Sequence, residues 1–339
     1  MLAIVAYDDY EIWQMDVKMA FLNGYLKEEL YMMQPEGFVD PANANKVCKL
    51  QRSIYGLVQA SRSWNIRFDE MIKVFGSMLT YGEACVYKKV SGSSVAFLVL
   101  YVDDILLMGN DIELLDSIKA YLNKCFSMKD LGEAAYILGT KIYSNRLRRL
   151  IGLSQSTYLD KILKTFNMDQ SKNGFLPVLQ GRYQSNPDME HWTAVKNILK
   201  YLKRTKDMFL VYGGDEGLVV KGYVDAIFDT DLDDSKSQTG YMYILNGGAV
   251  SWCICKQSVV AGSTCEAEYM AASEAAHEAI WMKEFITDLG VIPNASGPIT
   301  LFCDNTRAIA LAKEPRFHKK TRHIKRRSTP FVKMFKMET

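Results

Sequence analysis

Val95–Asn110 reads VAFLVLYVDDILLMGN: eight residues without a charge, then Asp103 beside Asp104, then apolar residues again from Ile105 to Met108. An ionised carboxylate in such a neighbourhood is costly unless something positive is held against it. The runs AFLVLYV and ILLMG that flank the pair predict two strands meeting at a tight turn, with the acids at the tip. Two readings stay open at this point. The tip is either a solvated hairpin end or one half of a cation site.

Outward from that hairpin, NDIELLDSIKAYLNKCF predicts a helix. Asn110 stands three residues before Glu113, a capping-box spacing, and Leu115, Ile118, Leu122 and Phe126 share one face. AAYILGTKIY reads as another strand. Upstream, EIWQMDVKMAFLNGYL ends an apolar stretch at Asp16, with Phe21 and a Gly24 turn behind it. Two strands that each deliver a carboxylate make a site able to hold divalent cations through oxygen. Two such ions ~4 Å apart activate an attacking hydroxyl and stabilise a leaving group. Phe21 alone reads as core packing, and Gln59 alone carries no reading.

At 339 residues, with 48% hydrophobic and 24% charged residues, the chain is expected to form two or three globular domains. The net charge of +2 hides one concentration, the acid-free RFHKKTRHIKRR from Arg316 to Arg327. Seven cysteines at irregular spacing predict free thiols in a reducing compartment. Neither a membrane span nor a signal peptide is expected.

Between Asn167 and Asp188 the pattern dissolves into Gly, Pro, Asn and Ser, a domain boundary. MEHWTAVKNILKYLKRT then predicts a helix with Trp192, Val195, Ile198, Leu199 and Leu202 on its apolar face. From Gly217 onward three strands, a long helix from Ser263 to Leu289 ended by Gly290, a fourth strand and a further helix give β-β-β-α-β-α. Asp225 is expected to end the first strand, Glu268 to lie on the first turns of the long helix, and Asp304 to end the fourth strand. Glu266 competes with Glu268, but Ser263 and Glu266 have capping-box spacing, which gives Glu266 a structural role. Asp229, Asp231, Asp233 and Asp234 lack the Gly and Glu of a calcium loop and read as solvated. His191 and His277 read as ordinary helix residues. His318 and His323 in the basic run read as phosphate contacts, not zinc ligands.

QMDVKMAFLNGYLKEELYMMQPEGF, RSIYGLVQASRSW, YVDDILLMGND and YILGTKI resemble successive motifs of the reverse transcriptase in copia-like retrotransposon Pol polyproteins. GYVDAIFDTDLDDSKSQTGY, KQSVVAGSTCEAEYMAASEA and LFCDNTRAIALAKEP resemble the ribonuclease H domain of the same polyproteins. The resemblance implies a mixed α+β and α/β chain: a partial palm, antiparallel sheet with helices, at 1–166, a shortened thumb or connection at 167–210, a ribonuclease H-like domain at 211–327 and a tail at 328–339. It implies Mg²⁺ or Mn²⁺ held by Asp16, Asp103 and Asp104 for nucleotidyl transfer, and by Asp225, Glu268 and Asp304 for RNA hydrolysis. Phe21 would sit under the sugar as a gate against a ribose 2′-hydroxyl, Gln59 would lie by the incoming nucleotide, and YILGTKI would grip the primer. RNA template, DNA primer, RNA–DNA hybrid and deoxynucleoside triphosphates are the implied partners, within a cytoplasmic particle or the nucleus.

The departures from the family pattern are specific. By the resemblance, basic fingers residues before QMDVK and a longer segment after GFLPV would be missing. Met19, Val58, Ser61 and Ile227 replace usual motif residues, and Lys325 stands where an acid is expected. The pattern reads as a shortened copy with impaired activity, the alternative being a catalytically inactive nucleic-acid-binding remnant.

Overall fold

A computed structural model describes residues 1–175, 188–214, 217–229, 234–292, 297–313 and 335–338. The basic run Arg316–Arg327 with His318, His323 and Lys325, together with Asp231 and Asp233, lies outside the described residues. The chain forms two compact units. One is Tyr10–Ala134, and the other joins Met1–Asp9 to Ala135–Thr339.

Helix α1 (Leu2–Asp8) opens the chain and belongs to the second unit. The first unit runs β1 (Glu11–Val17), a 3₁₀ turn Ala20–Asn23, β2 (Tyr31–Met32), β3 (Cys48–Lys49), α2 (Ala60–Val74), β4 (Met78–Leu79), β5 (Val86–Ser91), β6 (Ser94–Tyr101), β7 (Asp104–Gly109), α3 (Ile112–Cys125) and β8 (Met128–Glu133). Its main sheet has the antiparallel order β4-β5-β6-β7-β1-β8, and β2 pairs with β3. The apolar run Val95–Met108 is therefore the β6–β7 hairpin at the sheet centre. Ala96, Leu98, Leu100, Ile105 and Leu107 join one core with Trp64, Phe68 and Ile72 of α2 and Leu115, Ile118 and Leu122 of α3. Phe97, Leu106 and Met108, which alternate with them, are buried as well, so the run shows no polar alternation.

The predicted apolar face of α3 is buried, Phe126 included. The cap differs from the expected one. Asp111 is the N-cap, and its carboxylate accepts the backbone N–H of Glu113 and Leu114. Asn110 instead ties the hairpin, accepting from the Val95 N–H at 2.8 Å. An acid at the cap also faces the positive end of the helix dipole.

The described residues of the second unit form two sheets. The first has the order β12-β11-β10-β9, built from β9 (Tyr136–Ile137), β10 (Thr140–Asn145), β11 (Leu150–Ser154) and β12 (Leu210–Tyr212), with α4 (Ser156–Thr165) and α5 (Met189–Thr205). YILGTKIY is thus a hairpin, not one strand: Leu138 and Gly139 both take positive φ and turn the chain. The compact units do not break where the composition does. Residues 135–154 pair among themselves and, through β11, with β12, so they fold with the later part of the chain. On α5 only Leu199 of the predicted apolar face is fully buried, while Trp192 and Val195 stay exposed. His191 closes a capping box with Asp188, a structural role its sequence position did not announce.

The other sheet has the order β15-β14-β13-β16-β17, from β13 (Lys221–Ile227), β14 (Gln238–Leu245), β15 (Gly248–Lys256), α6 (Thr264–Leu289), β16 (Ile299–Cys303), α7 (Thr306–Lys313) and β17 (Phe335–Glu338). The expected β-β-β-α-β-α order is present, and β17 adds a parallel edge strand beside β16. Asp225 does not end β13, which continues to Ile227 opposite Gln238. Helix α6 turns a row of small residues toward the sheet, among them Ala267, Ala271, Ala275 and Ala279, all fully buried. Small side chains let helix and sheet approach until the Tyr243 hydroxyl donates to the Ala275 carbonyl at 2.6 Å.

Gly222 on β13 lies under that tyrosine. A Cβ there would sit 2.5 Å from Tyr243 Cε1 and 2.9 Å from Leu301 Cδ1. Because the ring is buried and its hydroxyl anchored, it has little room to yield. Gly222→Ala is expected to destabilise the second unit by about 1–3 kcal/mol, the usual cost of overpacking, read as an earlier thermal unfolding transition.

Candidate active sites

The first site is made by strand pairing. In the β1–β7 register Asp16 lies opposite Asp104, and the Val17 N–H donates to the Asp103 carbonyl at 2.9 Å. Between the paired residues Tyr101 and Asp104 the β6–β7 link is only Val102 and Asp103. Val102 takes φ +55°, an unfavourable region for a β-branched residue. The Trp64 indole N–H donates to the Val102 carbonyl at 2.6 Å and holds the turn against α2. Gln14 Nε2 donates to Asp104 Oδ1 at 3.0 Å and fixes the orientation of that carboxylate. The β1–β8 ladder shifts register between Gln14 and Met15, just before Asp16.

The electrostatics follow from this convergence. Partial burial, and then the charges of Asp103 and Asp104, raise the Asp16 carboxyl above its ordinary value, against the opposing pull of Lys129 and Lys18. Three carboxylates therefore share one sheet end and repel one another. Phe21 lies in the 3₁₀ turn that follows β1, half-buried against the core, with its ring 4.7 Å from Tyr55. Gln59 precedes α2, and its side chain makes no capping bond to the helix. Sequence reasoning missed Trp64 and Gln14 as supports of the site. Trp64 closes the RSIYGLVQASRSW motif, but only the fold brings its indole to the hairpin.

The second site sits where β13 and β16 run parallel. Val224 pairs with Cys303, so Asp225, still within β13, and Asp304, just past β16, are the next residues along neighbouring parallel strands. Glu268 is buried on α6, its Oε1 accepting the Ala226 N–H at 3.3 Å and its Oε2 lying 4.0 Å from Cys303 Sγ. Ligand atoms of Glu268, Cys303 and Asp304 all lie within 4.8 Å of one another. Burial above all, with repulsion from Asp225 and Asp304, pushes the Glu268 carboxyl up to about 7, although the Ala226 N–H pulls the other way. Glu268, Asp304 and the Cys303 thiol are the group that could hold a cation, and Asp225 is not part of it. Cys303 was not anticipated; it reads as an ordinary buried strand residue until Val224 is set beside it.

Glu266 does structural work. Ser263 accepts the Glu266 N–H at 3.2 Å, and the Glu266 carboxylate takes the Gly262 N–H at 2.8 Å, one residue before the cap position expected from the spacing. In the acidic loop Asp234 is ion-paired with Lys256 at 2.8 Å and Lys236 at 3.1 Å. All seven cysteines are free thiols.

Because Glu268 binds its proton more tightly folded than unfolded, it favours the folded state at low pH. That contribution is lost as pH rises from the ordinary glutamate range near 4.5 through about 7. Metal-free protein is therefore expected to lose stability over this window, and Glu268→Gln to flatten the loss. Added Mg²⁺ should raise the melting temperature more at pH 8 than at pH 6, since only the ionised carboxylate binds it.

A family model described as reverse transcriptase (RNA-dependent DNA polymerase) matches residues 1–180. The chain belongs to the reverse transcriptase family. Both carboxylate strands of the first site lie inside the matched span. The retrovirus-related Pol polyprotein from transposon TNT 1-94 of Nicotiana tabacum is 39% identical over 373 aligned positions, covering 95% of this chain and 28% of that protein. The corresponding polyprotein from transposon RE2 of Arabidopsis thaliana is 31% identical, covering 95% and 25%. This reverse transcriptase chain thus spans about a quarter of the length of these relatives and is similar to retrotransposon Pol polyproteins. The 373 aligned positions exceed its 339 residues, so parts of the relative have no counterpart here. Among solved structures, a foamy viral protease-reverse transcriptase in complex with double-stranded DNA aligns over 97% of the chain and 59% of that protein, at 13% identity and TM-score 0.26. No helix among the described residues is long and apolar enough to cross a membrane.

Proposed function

We propose that the first unit carries out RNA-directed DNA synthesis at Asp16, Asp103 and Asp104, and that the second cleaves the RNA strand of an RNA–DNA hybrid at Asp225, Glu268 and Asp304. The observation that carries the reading is the cross-strand pairing of Asp16 with Asp104, with Asp103 in the adjoining turn. It turns residues some 87 positions apart in sequence into one cluster. Mg²⁺ or Mn²⁺ held there would activate a primer 3′-hydroxyl and neutralise the leaving pyrophosphate. The chain's own contribution is to aim the carboxylates. Gln14 orients Asp104, and Trp64 fixes the turn that presents Asp103. Phe21 and Gln59 would border the nucleotide.

At the second site the parallel strands present Asp225 and Asp304 from one end, and Glu268 faces them from α6. RNA template, DNA primer, hybrid and deoxynucleoside triphosphates are the proposed partners. The drifted motif positions Met19, Val58, Ser61 and Ile227 favour weak turnover, since misplacement by ~1 Å costs about a hundredfold.

The test uses purified chain with a short RNA template carrying a DNA primer, and separately with a labelled hybrid, each with Mg²⁺ and with chelator. Mg²⁺-dependent extension and hybrid cleavage are expected. Absence of both, with folded protein, would sink the reading.

A further inference from the structure

Behind the first site the chain builds a cluster that the carboxylate chemistry does not use. Gly24 ends the 3₁₀ turn of Phe21, and its carbonyl accepts the Ser53 N–H at 3.0 Å. A Cβ on Gly24 would lie 2.8 Å from Ser53 Oγ and 2.9 Å from Ser63, so only glycine allows this close seat against the segment before α2 and α2 itself. The Ser53 hydroxyl, fully buried, also donates to the Phe21 carbonyl. Tyr25 and Arg52, each one residue outside this contact, then meet as an isolated antiparallel bridge. Arg67 stands one helical turn beyond Ser63 on α2 and so reaches the same place. The result is one exposed tyrosine ring with the Arg52 guanidinium 4.8 Å and the Arg67 guanidinium 5.1 Å from its centre.

Neither arginine is ion-paired with a carboxylate among the described residues, whereas Glu29 is engaged by Lys49 and Tyr31. Two cations share one ring, separated by at most about 10 Å, the sum of the two distances, which is one Debye length at 0.1 M salt. Their repulsion is relieved when an anion arrives. A guanidinium stacked on a ring keeps its N–H groups free in its own plane, the geometry that grips phosphate in bidentate fashion. The ring limits side-chain freedom, so less is lost on binding.

We propose that Tyr25, Arg52 and Arg67 form a binding site for the phosphodiester backbone of a nucleic-acid strand, built onto the same turn that carries Phe21. This rests on the nucleic-acid substrates proposed above. The site positions the strand and reads no sequence, as phosphate contacts do. It is anchored by a buried serine and a sterically required glycine, so the register between strand and Phe21 is set by the fold.

The test measures binding of the full chain to a fluorescein-labelled primer annealed to an RNA template, across a range of salt, without Mg²⁺. Arg52→Gln with Arg67→Gln is expected to weaken binding at least tenfold and to reduce the salt slope by about 1 per arginine. Tyr25→Leu keeps both charges and loses the platform, so affinity should fall while the slope stays. Lys73→Gln, an exposed lysine near the far end of α2 that is ion-paired with Asp69, serves as the variant that should leave strand binding unchanged. A parallel titration with deoxynucleoside triphosphate separates strand from monomer. Loss confined to the triphosphate overturns the backbone assignment. Unchanged affinity and slope in the double variant, with wild type binding normally, overturns the site and leaves the proposed function standing. A folded wild type that binds no strand overturns both.

Discussion

Asp304→Asn is expected to lower Mg²⁺-dependent hybrid cleavage by more than about a hundredfold while leaving primer extension unchanged. Asparagine keeps the shape of the side chain and removes one anionic ligand from a group whose donor atoms lie within 4.8 Å of one another. Loss of a residue that only supports a ligand typically costs 10–100-fold, so loss of a ligand should cost more. The substitution has a second signature. Asp304 is one of the charges that raise the Glu268 carboxyl, so its removal should shift the acid limb of any residual pH profile downward. Asp103→Asn should mirror this at the other site, abolishing extension and sparing cleavage. Cleavage unaffected by Asp304→Asn, or by chelation of Mg²⁺, would assign that activity elsewhere.

Trp64→Ala is expected to destabilise the first unit by about 3–5 kcal/mol, the cost of emptying a large aromatic site in a packed core. The ring is buried between Phe68 and Phe126, with centroids 5.5 and 5.1 Å away, each met edge-on. Its indole N–H also satisfies the Val102 carbonyl at the acid-bearing turn. Trp64→Phe separates the two roles. It retains most of the packing, and the lost hydrogen bond should cost about 1 kcal/mol. A turn freed from α2 should let Val102 leave its positive φ and displace Asp103. Extension should therefore fall further than stability in the phenylalanine variant. Urea unfolding of the first unit, followed beside primer extension on the same preparations, measures both. Equal proportional losses would mean that the indole N–H serves stability alone.

Much of the molecule is written in its sequence, because the signals are local. The β6–β7 hairpin follows from two apolar runs around a two-residue break, and α6 from Ser263 at its start and Gly290, at φ +66°, at its end. The order β13-β14-β15-α6-β16-α7 follows from the same kind of periodicity. Local signals failed where two residues compete for one role, as Asn110 and Asp111 did for the α3 cap. They failed again where a short positive-φ pair, Leu138 and Gly139, splits an apolar run. Tertiary structure alone decided which distant residues share a site. Antiparallel register sets Asp16 against Asp104, and a one-residue slip would send Asp16 to the opposite face of the sheet. Parallel register sets Cys303 beside Val224 and so brings an unforeseen thiol to Glu268. The roles of Trp64, Gln14, Arg52 and Arg67 carry no mark in the sequence, since they depend on packing and hydrogen bonds that exist only once the strands have found their partners.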